Sequence, residues 1–248
     1  MDKAVQLNNI KDRKDTTNTL NEMAYKGIKR LLFNKILVPG QKLIYKDLVN
    51  TLNMSQTPII NALNRLDQEG FVAYENYRGF FIKPIDFKEV WDAFGFQEAV
   101  EVYGVKQAIK LGSPKEFESL EEKCDEHEQY KPDHYNQKKF QLDQNFHMHI
   151  ADMSQNKIIK YVLKRNFQHL ILRGRLDHYD PRRMESSEEE HRLLVEKMKR
   201  KDILGSIDII ETHIHTMRDN ILKCMSNDDL GRKIISWSEN KDQKKVKQ

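Results

Sequence analysis

The stretch Ser55–Ile82 constrains the chain most, because its hydrophobic period changes once and each side of the change is bounded by its own stop signal. Ser55 is a good N-cap and Pro58 falls in the first helical turn. Ile59, Ala62, Leu63 and Leu66 then stand at i, i+3, i+4 and i+7, a single apolar stripe on a helix that Gly70 ends as a C′ glycine would. Two short β-type runs follow, Phe71–Tyr74 and Phe80–Pro84, joined by Glu75-Asn76-Tyr77-Arg78-Gly79, a length and composition suited to a hairpin. Upstream, helical patterning from Thr19 to about Phe33 draws its apolar face from Met23, Ile28, Leu31 and Leu32. Pro39-Gly40 marks a turn, and a short helix runs from about Tyr45 to Leu52. The link Asn53-Met54-Ser55 is short enough for a tight helix–helix turn. Helix, helix, helix, hairpin is the order of a winged helix-turn-helix.

From Asp86 onward the patterning is helical throughout. Asp86 and Glu89 have capping-box spacing and open a helix to about Lys110. Ser113-Pro114 opens the next, to about Tyr130, and Lys131-Pro132-Asp133 breaks the chain. Further helices are expected at about 136–153, 156–175, 187–200 and 202–225, with Ser187 and Glu190 as a second capping box. The expected fold is mainly α: an N-terminal winged helix-turn-helix followed by an all-α helical bundle. The expected organisation is a flexible arm at 1–17, the winged unit at 18–85, a helical unit at 86–230 and a polar tail at 231–248.

Composition removes several classes. Of the 248 residues 38% are hydrophobic and 32% charged, too apolar for a disordered chain and too polar for a membrane protein. No apolar run approaches the roughly 20 residues that a bilayer span needs. The polar N-terminus lacks a signal core, and the two cysteines, Cys124 and Cys224, fit no metal or redox spacing, so a reducing cytoplasm is expected. Charge is uneven: residues 1–85 hold 13 Lys/Arg against 8 Asp/Glu, a net +5, while the remainder holds 29 against 30. A basic small unit joined to a near-neutral larger one suits a polyanion partner at one end only.

The segment SQTPIINALNRLDQEGFVAYENYRGFFI resembles the DNA-binding domain of GntR-type bacterial repressors. Ser55, Thr57, Pro58, Ala62, Leu63, Arg65, Leu66, Glu69, Gly70, Arg78 and Gly79 match that family's pattern, and Pro39-Gly40-Gln41-Lys42-Leu43 resembles its turn before the second helix. The resemblance implies DNA contacts from Ser55, Gln56, Thr57, Pro58, Asn61, Arg65, Arg78 and Gly79, with small hydroxyls at a helix N-terminus on phosphate and the first turns of the helix on base edges. The chain departs from the family at Gln56 and Ile60, where arginines are usual, and at Asn61, where Glu is common. Arg-to-guanine contacts are thereby lost, while Gln and Asn pair best with adenine.

Four of the nine histidines, His127, His134, His169 and His178, stand alone and are read as surface or satisfied core residues. The run QLDQNFHMH differs, because Asp143 and His147 are i, i+4 and project from one helix face, offering an oxygen and a nitrogen ligand. The order Asp143, Phe146, His147, Ala151, Asn156, Glu190-His191 and His213 resembles the FadR-type (FCD) effector domain that follows many GntR-type DNA-binding domains. The resemblance implies that Asp143, His147, His191 and His213 bind one divalent metal, zinc, nickel or manganese. It also implies an effector pocket touching Gln97 and Asn156, and Arg173 is a further candidate contact. Gln97 stands where the family carries an arginine for a ligand carboxylate, and Arg173 or Arg175 is the candidate replacement.

The resulting expectation is a homodimeric regulator, in the sense of a repressor, that binds a palindromic operator in double-stranded DNA and senses a small organic or sugar acid. No enzymatic activity is expected. The alternative is a metal-dependent hydrolase or lyase carrying a DNA-binding domain, with His149 and Glu190 as the available acid or base. A nucleoid-type protein that binds DNA without an effector is the third reading.

Overall fold

The computed structural model describes residues 19–174 and 182–227. They fall into two compact units that divide between Pro84 and Ile85.

In the first unit α1 spans 19–33, followed by β1 (Lys42–Leu43), α2 (Tyr45–Leu52), α3 (Gln56–Gln68), β2 (Val72–Glu75) and β3 (Gly79–Ile82). The stripe on α3 is buried as its spacing requires: Ile59, Ala62, Leu63 and Leu66 are buried, as are Ala24, Ile28, Leu32, Leu48 and Phe71 in the same unit. Met23, assigned to the apolar face of α1, is instead exposed, and Ala24 takes the inward position. Asn53 adopts a left-handed conformation (φ 50°) that ends α2 and turns the chain into α3. Gly70 (φ 80°) closes α3 in a Schellman arrangement, with Phe71 N–H donating to Leu66 O and Gly70 N–H to Asp67 O.

The sheet order is β1-β3-β2, all antiparallel, with Val72 opposite Ile82 and Glu75 opposite Gly79. Strand β1 is an addition to the expected pair. It is two residues long, too short to show a period, and tertiary hydrogen bonds define it: Gly40 N–H donates to Ile82 O, and Ile82 N–H to Gln41 O. The hairpin is also tighter than expected, with Asn76, Tyr77 and Arg78 between the strands.

The second unit contains α4 (Phe87–Leu111), α5 (Pro114–Gln129), α6 (Gln137–Met153), α7 (Lys157–Arg173), α8 (Arg182–Lys199) and α9 (Ile203–Asn227). The capping box of Asp86 and Glu89 is formed at the start of α4, and Ser113 and Glu116 form another at α5. The second expected box, Ser187 with Glu190, is not formed. Helix α8 already runs from Arg182, so Ser187 lies buried inside it, and the Glu190 carboxylate is drawn to Arg183 and His213. Ser-x-x-Glu is also an i, i+3 spacing within a helix, and the preceding Arg-Arg-Met-Glu supplies good helix formers. Helix α4 packs against α9, α6 and α7, and α8 against α9 and α5. This brings faces of α4, α6, α8 and α9 around one buried point.

Candidate metal centre and nucleic-acid interface

Helix α6 supplies Asp143 and His147 from successive turns, α8 supplies His191 and α9 supplies His213. All four are buried, and one ligand-type atom from each lies within 4.8 Å of the others. Asp143 Oδ1 is 3.6 Å from His191 Nε2 and 3.9 Å from His147 Nε2. The rings of His147, His191 and His213 have centroids 4.7–5.1 Å apart. Asp143 Oδ1, His147 Nε2 and His191 Nε2 are buried without a hydrogen-bond partner. Leaving such atoms unsatisfied costs about 1–3 kcal/mol each, so their convergence on one point needs a reason, and a shared cation supplies one.

The atoms that face away from this point are held. His147 Nδ1 lies 2.5 Å from Glu101 Oε2, and His213 Nδ1 lies 2.7 Å from Glu190 Oε2. A carboxylate behind an imidazole fixes its tautomer and turns Nε2 inward. Gln97 Nε2 donates to Glu101 Oε1 at 2.7 Å, and Asn166 Nδ2 contacts Gln97 Oε1 at 3.4 Å. Arg183 donates to Glu190 at 2.5 Å and to His213 O at 3.2 Å. Phe146 stacks on the His191 ring with centroids 4.1 Å apart. Three carboxylates and one guanidinium therefore surround the histidines, a formal charge that a divalent cation would balance. The donor set, three imidazoles and one carboxylate, suits zinc, nickel or manganese.

Protonation follows from the same neighbours. Burial opposes charge on His147, but the Glu101 and Asp143 carboxylates outweigh it and raise its pKa to about 9. Burial lowers the pKa of His191 well below the usual imidazole range, and the His213 and His147 rings add to the effect. Burial raises the pKa of Glu190, but hydrogen bonds from His213 and Arg183 overcome this and leave it low.

The expected effector contacts are placed differently from one another. Gln97 lines a cavity beside the cluster, together with Phe94, Phe140, Phe167, Ile214 and Met217. That cavity measures about 20 Å³, room for one water or an ion and not for a metabolite. Arg173 does not line it, and its guanidinium pairs with Glu89 at 2.5 Å. Asn156 does not line it either: its side chain caps α7, accepting from Ile158 N and Ile159 N. Arg175 and His178 lie outside the described residues. His134 is exposed and His169 half-buried, whereas His127, read as an unremarkable histidine, is buried with its ring centroid 5.1 Å from that of His191. The sequence assigns no role to Glu101 or Arg183. Glu101 was visible as the i+4 neighbour of Gln97, but nothing local marked Arg183.

In the first unit, Ser55, Gln56, Thr57 and Asn61 are exposed along the start of α3, while Pro58 is buried in its packing face. Ser55 caps α3 by position but makes no side-chain capping hydrogen bond. Arg65 binds Glu22 at 2.7 Å and Glu69 at 3.1 Å, and its guanidinium lies 3.7 Å from the Tyr25 ring centre. Arg65 thus ties α3 to α1. Asn61 Nδ2 donates to Asn21 Oδ1 at 3.2 Å. Arg78 pairs with Glu75 and lies over the Phe81 ring, while Gly79 takes φ 91°, a conformation that glycine adopts at no cost. The fully exposed wing-tip side chain is Tyr77, at 105% of its reference area, which the sequence reading passed over.

Residues 20–82 match the family model for bacterial regulatory proteins of the gntR family, and residues 92–216 match the FCD domain. The HTH-type transcriptional regulator YdhC of Bacillus subtilis is 25% identical over 181 residues, covering 72% of this chain and 80% of that protein. The Nta operon transcriptional regulator of Aminobacter aminovorans is 25% identical over 186 residues, covering 75% and 86%. Among solved structures, Escherichia coli McbR/YncC superposes with a TM-score of 0.70 at 19% identity, over 82% of this chain and 97% of that one. A GntR transcriptional regulator from Rhodococcus sp. RHA1 superposes with a TM-score of 0.68 at 15% identity, over 84% and 98%. Among the described residues, no helix is long and apolar enough to cross a membrane.

Proposed function

Because the chain belongs to the GntR family of DNA-binding transcriptional regulators and carries an FCD domain, we propose that it is a metal-dependent, metabolite-responsive repressor. The observation that carries this reading is the convergence of unpartnered Asp143, His147 and His191 ligand atoms, with His213, at one buried point. Asp143, His147, His191 and His213 would hold the divalent ion, and Glu101 and Glu190 orient two of the histidines. A divalent ion held by these residues would supply Lewis-acid chemistry to an oxygen ligand of the effector.

The effector in this reading is a small organic or sugar acid. The cavity of about 20 Å³ has to widen before such a molecule can enter, so effector binding selects an expanded form of the bundle. An effector that favours that form over the closed one shifts the protein between DNA-competent and DNA-incompetent states. Gln97 offers only a neutral amide and is already bonded to Glu101, and Arg173 is neutralised by Glu89. The ligand carboxylate or hydroxyl is therefore recognised chiefly at the metal.

DNA is read by the exposed first turns of α3, with Ser55 and Thr57 on phosphate and Gln56 and Asn61 on base edges. Arg65, Arg78 and Gly79 complete the contact, and Pro58 serves it by starting α3. Two such units related by a two-fold axis fit a palindromic operator with half-sites about one helical turn, ~10 bp, apart, in the bacterial cytoplasm.

The matched families and named relatives are transcriptional regulators, and the chain is a regulator and not an enzyme. The side chains available for acid–base work are also committed elsewhere, His149 to Glu116 O and Glu190 to His213 and Arg183.

Two assays test the reading. Duplexes selected from a random pool by the full chain are expected to carry a dyad, and a footprint without one overturns the dimeric assignment. Titration of candidate acids into metal-loaded and chelator-stripped protein is expected to show binding in the first alone. Tight carboxylate binding that survives both stripping and Arg173→Ala overturns recognition at the metal.

A further inference from the structure

Two of the three histidines at the buried point have an orienting carboxylate behind them, Glu101 for His147 and Glu190 for His213. His191 has none. Both of its nitrogens are buried without a hydrogen-bond partner. Nε2 faces Asp143, at 3.6 Å, and therefore the ion, so Nδ1 is the atom left over. An imidazole bound to a metal through Nε2 carries its proton on Nδ1, and a buried N–H without an acceptor is costly. Phe146 stacks on the ring and fixes its plane, but an aromatic face offers no lone pair in that plane.

Among the described residues, the buried atoms outside the four-residue cluster that lack a hydrogen-bond partner include Arg183 Nε, Ser187 Oγ and His127 Nδ1, and of these His127 on α5 belongs to a ring that lies against the His191 ring. The ring centroids of His127 and His191 are 5.1 Å apart and their planes are inclined by 47°. The two rings are neighbours, and a hydrogen bond between their Nδ1 atoms, direct or through one water, would satisfy both. His127 is 1% exposed, so solvent does not readily supply a substitute partner. Helix α5 packs against both α6, which carries Asp143 and His147, and α8, which carries His191.

We propose that His127 is the positioning residue for His191, accepting the Nδ1 proton of His191 at its own Nδ1 and so holding His191 Nε2 toward the metal. This rests on the metal reading given above. It gives the site a third orienting partner that is neutral where the other two are carboxylates, and it ties α5, which contributes no ligand, to the metal centre. His127 does not coordinate the ion in this account.

The test uses the full chain, Co²⁺ as the probe, and the variants His127→Leu and His127→Gln. Leu keeps the bulk and removes the acceptor, whereas Gln restores an acceptor oxygen. Co²⁺ affinity is measured by chelator competition, and the visible spectrum reports the coordinating set. Removal of an orienting partner weakens metal binding by about 10–100-fold, so His127→Leu is expected to fall in that range, His127→Gln to recover most of the loss, and the spectrum to keep its shape. Unfolding of the stripped variants shows whether either substitution disturbs the fold itself, and the Leu/Gln contrast remains informative if both lower stability. Wild-type affinity in His127→Leu overturns the proposal, as does equal weakening in Leu and Gln. A changed spectrum in His127→Leu overturns it in favour of direct coordination. Failure of the wild-type chain to take up Co²⁺ rejects the metal reading itself and this inference with it.

Discussion

His147 Nδ1 lies 2.5 Å from Glu101 Oε2, and neither residue is more than 2% exposed. The pair joins α6 to α4 and aims the second ring nitrogen of His147 at Asp143, His191 and His213. With the Asp143 carboxylate it also holds a proton on His147 in the metal-free protein, raising the pKa to about 9.

A pH dependence follows. A metal displaces that proton, so at pH 7 binding should release close to one proton from His147 per ion, and release should fade as pH rises through about 9. Affinity should strengthen with pH over the same window. The metal-free fold should behave oppositely. A group with a raised folded pKa stabilises fully below its unfolded value, ~6.5, and that contribution is lost as pH rises through the folded value. Calorimetry in buffers of different ionisation enthalpy measures the release. Release that stays unchanged from pH 6.5 to 9.5 contradicts the assignment.

Glu101→Gln keeps a carbonyl acceptor for His147 but removes the charge. Metal affinity is expected to fall by about tenfold, and proton release at pH 7 should shrink because His147 no longer holds its proton as firmly. Gln97→Ala removes one hydrogen bond to Glu101 and should cost only a few-fold, an effect on the order of 1 kcal/mol. Chelator competition ranks the two; a larger loss in Gln97→Ala than in Glu101→Gln is inconsistent with Glu101 as the direct partner.

In the DNA-binding unit the two kinds of surface residue should separate. Arg65 links α3 to Glu22, Glu69 and the Tyr25 ring, so Arg65→Ala should lower stability by about 1 kcal/mol as well as weaken DNA binding. Gln56→Ala and Asn61→Ala should leave stability nearly unchanged and relax base preference. Thermal unfolding beside DNA titration at several salt concentrations distinguishes them. An Arg65→Ala protein that melts as wild type assigns Arg65 to phosphate contact alone.

The elements were legible where local chemistry dominates. Ser55, Pro58 and Gly70 bracket α3, and its stripe at Ile59, Ala62, Leu63 and Leu66 is the buried face. Strand β1 was not legible, because its two residues are a strand only through Phe80 and Phe81 across from them. The start of α8 was misread because Ser187 and Glu190 have the spacing of a cap, whereas Glu190 serves His213 on another helix. The juxtaposition of Asp143 and His147 follows from a single helical turn. That of His191 and His213 depends on how α8 packs against α9, which the family pattern indicated and no local spacing could. His127 was passed over for the same reason: its partner stands on α8, 64 positions away, and no periodicity within α5 marks it.

The central claim is that the buried Asp143–His147–His191–His213 cluster holds a divalent ion, and metal content tests it most directly. Elemental analysis of the full chain should find close to one ion per chain in the wild type and almost none in a His147→Ala/His213→Ala double variant. Wild-type protein should also lose thermal stability on stripping, on the order of 10 °C for an ion bound well above its dissociation constant. The double variant should show no change on the same treatment. Equal metal content in wild type and double variant, or a melting temperature that chelation leaves unmoved in both, contradicts the site.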